Sequence, residues 1–225
     1  MEITLSPQLY KLIPNFKIGV IHYRNIEVGA SPQMLKGRLQ LFQESIFFDL
    51  EDKNVADIEE IKEWRSIFKK TGKDPNLYQP TVETLYRKVQ KQEFLHSVNS
   101  AIDLTNFFSL QYKIPLGIYD LDAVEGPISI RIGDEEDAYE GLIGRMNDWQ
   151  QLIVAADNAG PFGSPLVDSA RTSVSQKTKE AIQIVYLRPS ISLEDAGQMV
   201  ESLRKMFVQI HGGEASFEIF SDFAV

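Results

Sequence analysis

The spacing of hydrophobic and polar residues predicts a strand and then a helix near the start of the chain. Residues 16–28 are rich in β-branched and aromatic side chains with partial alternation, which is typical of an edge or half-buried strand. From Ser31 to Ile46 the apolar residues recur at helical spacing. Ser31 is a candidate N-cap, and Pro32 suits the first helical position. We therefore expect a strand followed by an amphipathic helix.

Three further helices are expected before the middle of the chain. Segment 55–70 carries apolar residues on one helical face. After a connector with two prolines, segment 81–92 is predicted as the next helix, with Thr81 as its N-cap. Another helix begins near Asp103 or Thr105 and continues to the next proline.

The second half of the chain has a β pattern. Its predicted strands are 128–132, 152–156, 181–187 and 216–220. Ser192 is the predicted N-cap of one last helix, roughly 193–210, which ends at a pair of glycines. Because strands and helices do not alternate regularly, we predict an α+β fold with a mixed or antiparallel β core flanked by several helices.

Length and cysteine content narrow the class of protein. The chain has 225 residues, which permits one large domain or two intimate ones, and we predict a single domain over 1–225. It contains no cysteine. This excludes disulfides, cysteine-bound zinc, iron–sulfur clusters and thiol nucleophiles, and it fits a reducing compartment.

The overall composition predicts a cytoplasmic protein without a membrane segment. No apolar run approaches the roughly 18 residues of a membrane span, and the N-terminus lacks the pattern of a secretory signal. The formal net charge is −9. Since phosphate attraction needs a positive surface, this total argues against nonspecific binding to nucleic acid, and no DNA partner is expected.

The charge is nevertheless unevenly distributed. Segment 61–95 has eight basic and four acidic side chains, a local charge of +4, which leaves −13 for the remainder. This segment could meet an RNA phosphate backbone, or its basic residues could simply cover helix surfaces. The candidate RNA contacts are Arg65, Lys69, Lys70, Lys73, Arg87 and Lys88.

Common catalytic motifs are missing. The sequence has no G-x-S-x-G, G-x-x-x-x-G-K-[ST], G-x-G-x-x-G or H-E-x-x-H pattern. Its histidines, His22, His96 and His211, are widely scattered, so each is interpreted as structural. The acidic run 134–137 is interpreted as a solvated turn rather than a calcium loop. We expect no metal and no cofactor.

The segment 102–107 contains the most informative polar residues. Asp103, Thr105 and Asn106 lie between apolar neighbours at a predicted helix start. Capping is the favoured role for Asp103, which leaves a hydroxyl and an amide to face a ligand. Glycines farther along the chain permit close backbone approach, so their N–H groups could hold a carbonyl or an oxyanion, or could serve turns.

A series of short motifs resembles a known family. Segments 102–107, 115–120, 126–131, 155–157 and 160–164 resemble, in order and spacing, the motifs of the editing domain within the β subunit of bacterial phenylalanyl-tRNA synthetase. Upstream residues resemble stand-alone bacterial proteins of the same domain family. The resemblance thus covers about 61–190, with 1–60 as an N-terminal elaboration, and it implies the fold of that editing domain.

The resemblance also implies a function. In the synthetase this domain hydrolyses tyrosine wrongly esterified to the tRNA for phenylalanine, because one pocket has limited power to reject a near-isosteric amino acid. It implies an aminoacyl-tRNA partner and a site that needs no metal. The implied substrate-binding residues are Thr105, Asn106, Gly117, Ala159, Gly160, Phe162, Gly163 and Ser164.

One position departs from the family pattern. The family's pocket histidine falls at Gly117, which is expected to enlarge the pocket and remove a polar contact. The acidic residue that reads the tyrosine hydroxyl has no clear counterpart near Gln183 and Ile184. The first hypothesis is a trans-acting hydrolase that cleaves the ester of a mischarged aminoacyl-tRNA, with no catalytic residue assigned. The alternative is a non-catalytic binding module for an amino acid, a small metabolite or an RNA end.

Overall fold

The computed structural model describes residues 2–142, 144 and 146–221, which form ten strands and six α-helices. The strands are β1 (Ile3–Leu5), β2 (Lys17–Arg24), β3 (Leu116–Asp120), β4 (Ile128–Ile132), β5 (Ala138–Glu140), β6 (Met146–Asp148), β7 (Ile153–Asp157), β8 (Gly160–Gly163), β9 (Ala181–Leu187) and β10 (Glu214–Ser221). The helices are α1 (Pro7–Leu12), α2 (Gln33–Asp49), α3 (Glu59–Thr71), α4 (Thr81–Gln90), α5 (Ser100–Tyr112) and α6 (Leu193–His211).

Two four-stranded sheets form the β core. One has the order β10-β2-β9-β3 and is antiparallel throughout. The other has the order β1-β4-β7-β8, in which β1 runs parallel to β4 and the remaining pairs are antiparallel. A short hairpin pairs β5 with β6. This arrangement confirms the predicted α+β class with mixed and antiparallel sheets.

The first sheet separates two apolar cores because successive side chains of a strand point to opposite faces. On one face, Ile18 and Ile184 pack with residues of the second sheet and of the N-terminal helices. On the other face, Ile21 and Tyr23 pack against α5 and α6. The ring of Tyr23 stacks on that of Phe207 with centroids 3.8 Å apart. Both faces are therefore covered.

Most predicted elements are present, with shifted ends. The strands β2, β4, β7, β9 and β10 and the helices α2, α3, α4 and α6 correspond to predicted segments. The sequence pattern did not indicate β1, α1, β3, β5 and β6, most of which are short. It did not indicate β8 either, where antiparallel pairing with β7 holds a glycine-containing segment extended.

Three predicted helix caps are wrong. Pro32 and Pro80, not Ser31 and Thr81, occupy the N-cap positions of α2 and α4. Helix α5 begins earlier than expected, and the Asn99 side chain accepts a hydrogen bond from the Ile102 N–H at 2.9 Å. Asp103 therefore lies inside α5. The predicted capping residues instead have distant partners, as the Ser31 hydroxyl donates to the Asp103 carboxylate.

The acidic run is exposed only in part. Residues 134–136 face solvent, as expected of a turn, but Asp137 is buried and forms an ion pair with Arg131. In the part of the chain that the structure describes, no helix has the length and apolar character needed to cross a membrane.

Candidate functional site

A cavity of about 140 Å³ lies between α5, β3 and the segment that follows β8. Apolar side chains from these three elements form most of its wall. Leu142, which lies between β5 and β6, also lines the cavity; it is 51% exposed and so marks the side that faces solvent. The polar lining residues are Thr81, Thr105, Asn106, Asp168 and Ser173. Such an apolar cavity with a few polar groups is the usual form of a small-molecule site.

Helix α5 contributes two of the residues expected from the sequence. The Thr105 hydroxyl donates to the Ala101 carbonyl at 2.8 Å and accepts from Gln183 Nε2 at 3.0 Å. Gln183 is itself fully buried, and its Oε1 accepts from the Tyr23 hydroxyl at 2.8 Å. Asn106 is half-buried and makes no side-chain hydrogen bond within the described residues. Thus the Thr105 hydroxyl is already engaged, while the Asn106 amide is available to a ligand.

Asp168 is the acidic residue of the cavity, and it pairs with a buried tyrosine. Tyr119 donates its hydroxyl to Asp168 Oδ1 at 2.6 Å. Burial raises the pKa of Asp168 to about 7, although hydrogen bonds from Tyr119 and from the Ser164 backbone act in the opposite direction. Burial together with the nearby Asp168 charge raises the pKa of Tyr119 well above its usual value. The tyrosine therefore stays a hydrogen-bond donor at neutral pH.

Two of the predicted glycines make room for this pair. A Cβ atom on Gly117 would lie 1.9 Å from Tyr119 Oη and 2.9 Å from Asp168 Oδ1. A Cβ atom on Gly163 would lie 2.1 Å from the same Tyr119 oxygen. The space beside Gly117 is thus filled by the Tyr119 phenol, and the expectation that this glycine enlarges the pocket is wrong.

The segment after β8 is held in a tight bend that presents its residues to the cavity. The Ser164 hydroxyl accepts from the Leu166 N–H at 3.0 Å and from the Val167 N–H at 3.2 Å. The Thr81 hydroxyl donates to the Leu166 carbonyl, and the Tyr139 hydroxyl donates to the Val167 carbonyl. Ser164 therefore shapes the segment that carries Asp168.

The remaining predicted loop residues lie away from the cavity wall. Ala159 is exposed in the turn between β7 and β8, and Gly160 begins β8. Phe162 is fully buried, and its ring meets that of Tyr119 edge to face with centroids 4.9 Å apart. Phe162 thus packs against the Tyr119 ring and helps to fix its position.

Sequence reasoning missed Asp168 and Ser173. Both follow the glycine-containing segment that was singled out, at positions where the family motifs had ended. A usable signal was present, because Asp168 is the only charged residue in segment 164–170. An isolated acidic residue among apolar and small neighbours is a candidate for burial with a specific partner.

The predicted RNA contacts divide into two groups. Arg65 and Arg87 both form ion pairs with the fully buried Glu83, at 2.8 Å and 2.7 Å, so their charges are engaged inside the protein. Lys73 places its ammonium group 4.7 Å from the centroid of the Tyr78 ring. Tyr78 packs in the same cluster as Leu166 and Val167, which line the cavity.

The three other lysines are free to meet a partner. Lys69, Lys70 and Lys88 are exposed and form no ion pair with any residue that the structure describes. They lie on α3 and α4, the two helices that precede the cavity-lining helix α5. An RNA contact on this side of the molecule would therefore depend mainly on lysines.

The histidines are remote from the cavity. His22 lies 3.5 Å from Glu180 on the first sheet. His211 hydrogen-bonds to the Phe207 carbonyl and to the Ser100 hydroxyl, and burial lowers its pKa. Within residues 2–142, 144 and 146–221, no group of three or more potential metal-ligating histidines or acidic residues comes together. A histidine base or a bound metal at this cavity has no support in the described residues.

The structure combines an α+β fold with a small amphipathic cavity beside α5. Residues 63–200 match the B3/4 domain family, and the chain belongs to this family. The match includes every described residue that lines the cavity.

Similar sequences occur in a protein of about the same length as this chain and in much longer proteins. The chain is 36% identical over 213 residues to YhzB of Bacillus subtilis (strain 168), covering 95% of this chain and 96% of YhzB. It is 28% identical over 98 residues to the phenylalanine–tRNA ligase beta subunit of Fusobacterium nucleatum, and 35% identical over 101 residues to that of Protochlamydia amoebophila. These two matches cover 42% and 44% of this chain but only 12% of each subunit.

A solved structure also matches. It is an N-terminal fragment of the phenylalanyl-tRNA synthetase beta subunit from Pyrococcus horikoshii, with a TM-score of 0.47 and 13% sequence identity. The match covers 95% of this chain and 50% of the fragment.

Proposed function

We propose that this protein is a trans-acting hydrolase that cleaves the ester of a mischarged aminoacyl-tRNA in the cytoplasm. The observation that carries the proposal is the cavity beside α5, lined by Thr105 and Asn106, in a chain of the B3/4 family. Those two residues are among the eight that the likeness to the synthetase editing domain implies for the substrate, and the other six do not line the cavity. A second hydrolytic site of this kind raises discrimination between similar amino acids beyond what one pocket supplies.

The polar groups of the cavity suit an ester substrate. The Asn106 amide has no partner in the described residues and can donate to a carbonyl or accept from a hydroxyl. Ser173 is half-buried and offers a second hydroxyl. Groups of this type position a substrate and an attacking water without a covalent intermediate.

The size of the cavity favours a small amino acid. A cavity of about 150 Å³ is known to hold one benzene molecule, and this one has about 140 Å³. Since the Tyr119 phenol fills the space beside Gly117, this glycine adds no volume to the cavity. We therefore propose that the substrate carries a small amino acid, not tyrosine.

Hydrolysis of mischarged tRNA tests the proposal. The protein is incubated with a panel of tRNAs that carry noncognate small L-amino acids and D-amino acids, and the loss of the ester is followed over time. We expect at least one substrate to lose its amino acid faster than in buffer. Asn106→Ala should slow this reaction about tenfold or more, as expected when a substrate hydrogen bond is lost.

A matched asparagine provides the control. Asn158 is exposed in the turn between β7 and β8, outside the cavity, so Asn158→Ala should hydrolyse at the wild-type rate. Deacylation no faster than in buffer across the whole panel would refute the enzyme proposal.

Salt dependence tests the proposed RNA surface. Replacing Lys69, Lys70 and Lys88 by alanine should weaken tRNA binding and reduce the slope of log affinity against log salt by about 0.7–0.9 per lost contact. Lys177, exposed in the loop before β9, is the control, since Lys177→Ala should leave the slope unchanged. An unchanged slope in the triple variant would place the RNA elsewhere.

A specific observation also favours the second candidate, a non-catalytic module that binds an amino acid or a small metabolite. None of the described residues that line the cavity is a histidine, and the one carboxylate among them already accepts a hydrogen bond from Tyr119. For this candidate, amino acids should raise the melting temperature, while no RNA binds even at low salt.

A further inference from the structure

Asp168 is a carboxylate without a cationic partner. It is the only charged side chain among the described residues that line the cavity, and its hydrogen bonds come from the neutral Tyr119 hydroxyl and the Ser164 backbone. No lysine or arginine in the described part of the chain forms an ion pair with it. Asp168 is half-buried, and carboxylates shielded from water are normally paired with a cation or fully hydrogen-bonded. A positive group on a ligand would supply the missing partner.

The surroundings of Asp168 suit an ammonium group better than a metal ion. Divalent cations are usually held by several oxygen ligands, including more than one carboxylate. No cluster of three potential metal-ligating residues occurs among the described residues. An alkylammonium group carries three donors, and the Ser173 hydroxyl is an unpaired acceptor in the same cavity.

The Asp168 side chain is also held in a defined position. Its Oδ1 atom is 2.6 Å from Tyr119 Oη, and Tyr119 is itself fully buried against Phe162. Gly117 and Gly163 leave no spare room around that hydroxyl, since a Cβ on either would lie about 2 Å from it. A preorganised carboxylate loses little conformational freedom when a ligand binds.

We propose that Asp168 is the subsite for the α-ammonium group of a small amino acid, with Tyr119 as its positioning residue. The apolar wall then receives the side chain of the amino acid, and the carboxyl end is directed toward Asn106. This deepens the proposed function and rests on it for the identity of the ester, but it predicts ligand binding whether or not hydrolysis follows.

Binding of amino acid amides tests the subsite without requiring hydrolysis. L-Alaninamide, L-serinamide and L-valinamide carry the ammonium group but no carboxylate, and their N-acetyl derivatives lack the positive charge. We expect calorimetry or NMR titration to show at least one free amine binding about tenfold or more tightly than its N-acetyl derivative, as expected for one charge-assisted hydrogen bond.

Two aspartate variants assign the preference to a residue. Asp168→Asn keeps the shape of the side chain and removes its charge, so the ratio between free and acetylated ligands should fall to about one. Asp122 is exposed, and Asp122→Asn is the matched control that should retain the full ratio. If Asp168→Asn keeps the wild-type preference, or if the wild type binds free and acetylated amides equally or not at all, the subsite is refuted.

The failure of this inference can be told apart from the failure of the proposed function. The deacylation assay compares mischarged tRNAs whose amino acid has a free α-ammonium group with the same tRNAs after N-acetylation of the amino acid. Equal hydrolysis of both would overturn the ammonium subsite while the editing function stands. A strong preference of the protein for free amides without any deacylation would support the subsite and refute the hydrolase.

Discussion

Asp103 and Asp168 are two acidic residues near α5 with very different surroundings. Asp103 is fully buried and accepts hydrogen bonds from the Ser31 and Ser97 hydroxyls and from the Val98 N–H, at 2.5 to 2.8 Å. Asp168 accepts one side-chain hydrogen bond, from Tyr119, and faces a cavity. The Asp103 carboxylate links α5 to the residue Ser31 that precedes α2, whereas the Asp168 carboxylate can still interact with a ligand.

The difference shows how hydrogen-bond saturation separates a structural group from a site. Removing a carboxylate that accepts from several donors leaves those donors unpaired. A buried carboxylate with few donors is destabilised in its charged form, and so its pKa rises. Asp168 follows the second case, because burial raises its pKa to about 7. The following predictions test this contrast.

The largest effect is expected at Asp103. Asp103→Ala leaves two hydroxyls and one backbone N–H without their acceptor, which should lower the free energy of unfolding by about 3–5 kcal/mol. Urea unfolding followed by circular dichroism measures this loss. Glu51→Ala, an exposed acidic residue at the end of α2, is the control and should change stability by less than about 0.5 kcal/mol. If Asp103→Ala lowers the free energy of unfolding by less than about 1 kcal/mol, Asp103 is not the structural carboxylate that the comparison with Asp168 requires.

At a pH above the pKa of Asp168, replacing this residue should raise the free energy of unfolding, whereas replacing Asp103 lowers it. Because its folded pKa is raised to about 7 from an unfolded value near 4, the folded state holds a proton that the unfolded state has lost between these pH values. Wild-type stability should therefore fall as pH rises from about 4 to about 7. Asp168→Asn has no charge to bury, so at pH 8 it should be more stable than the wild type by up to about 4 kcal/mol, since a difference of about three pKa units at about 1.36 kcal/mol per unit separates the folded and unfolded states.

The pH series includes its own control. At pH 4 the wild-type Asp168 is protonated in the folded state, so the two proteins should have nearly equal stability. The neighbouring Tyr119, Tyr139 and Tyr186 remain neutral over this range, because burial raises the pKa of each. If Asp168→Asn is destabilising at pH 8, Asp168 belongs to the same structural class as Asp103.

A smaller loss is expected from crowding the Tyr119–Asp168 pair. Gly117→Ala would place a methyl group 1.9 Å from Tyr119 Oη, and overpacking of this kind usually costs about 1–3 kcal/mol. In a Tyr119→Phe background the hydroxyl that the new methyl group would strike is missing. The loss of unfolding free energy caused by Gly117→Ala should therefore be smaller in that background. Equal costs in both backgrounds, measured by thermal unfolding, would show that the hydroxyl does not fill this space.

The smallest change in stability is expected at the two adjacent polar residues of α5, Thr105 and Asn106. Thr105→Ala removes the acceptor of the buried Gln183 amide and should cost about 1–2 kcal/mol of unfolding free energy. Asn106→Ala removes no hydrogen bond and should cost less than about 0.5 kcal/mol. Chemical denaturation of both variants checks this. If the order is reversed, Asn106 is the structural residue and Thr105 the better candidate for ligand binding.

Much of the fold could be predicted from local pattern. Apolar spacing predicted α2 and α3, and alternation predicted β4, because each of these elements has a buried face that repeats with its own period. A continuous apolar run predicted β9, which is buried on both faces, and capping residues placed α4 and α6. The short elements β1 and α1 were missed, since three to six residues are too few to display a period. Strand β8 was missed for another reason, because only its pairing with β7 holds this glycine-containing segment extended.

The candidate site was predictable only in part. The resemblance pointed to Thr105 and Asn106, and both line the cavity. Asp168 and Ser173 were missed because they fall beyond the family motifs. The assignment of all six basic residues to an RNA surface could not be refined from sequence, since nothing local indicates that Arg65 and Arg87 both turn inward to Glu83.

The sequence by itself determined the order of the main elements, the α+β class and the likeness to the editing domain, because these depend on local periodicity and motif spacing. Tertiary structure alone decided what each acidic residue does. Asp103 meets Ser31 across 72 positions of the chain, and Asp168 meets Tyr119 across 49. Saturation of a carboxylate by hydrogen bonds, and hence its charge and its availability to a ligand, depends on such distant donors, which no local pattern specifies.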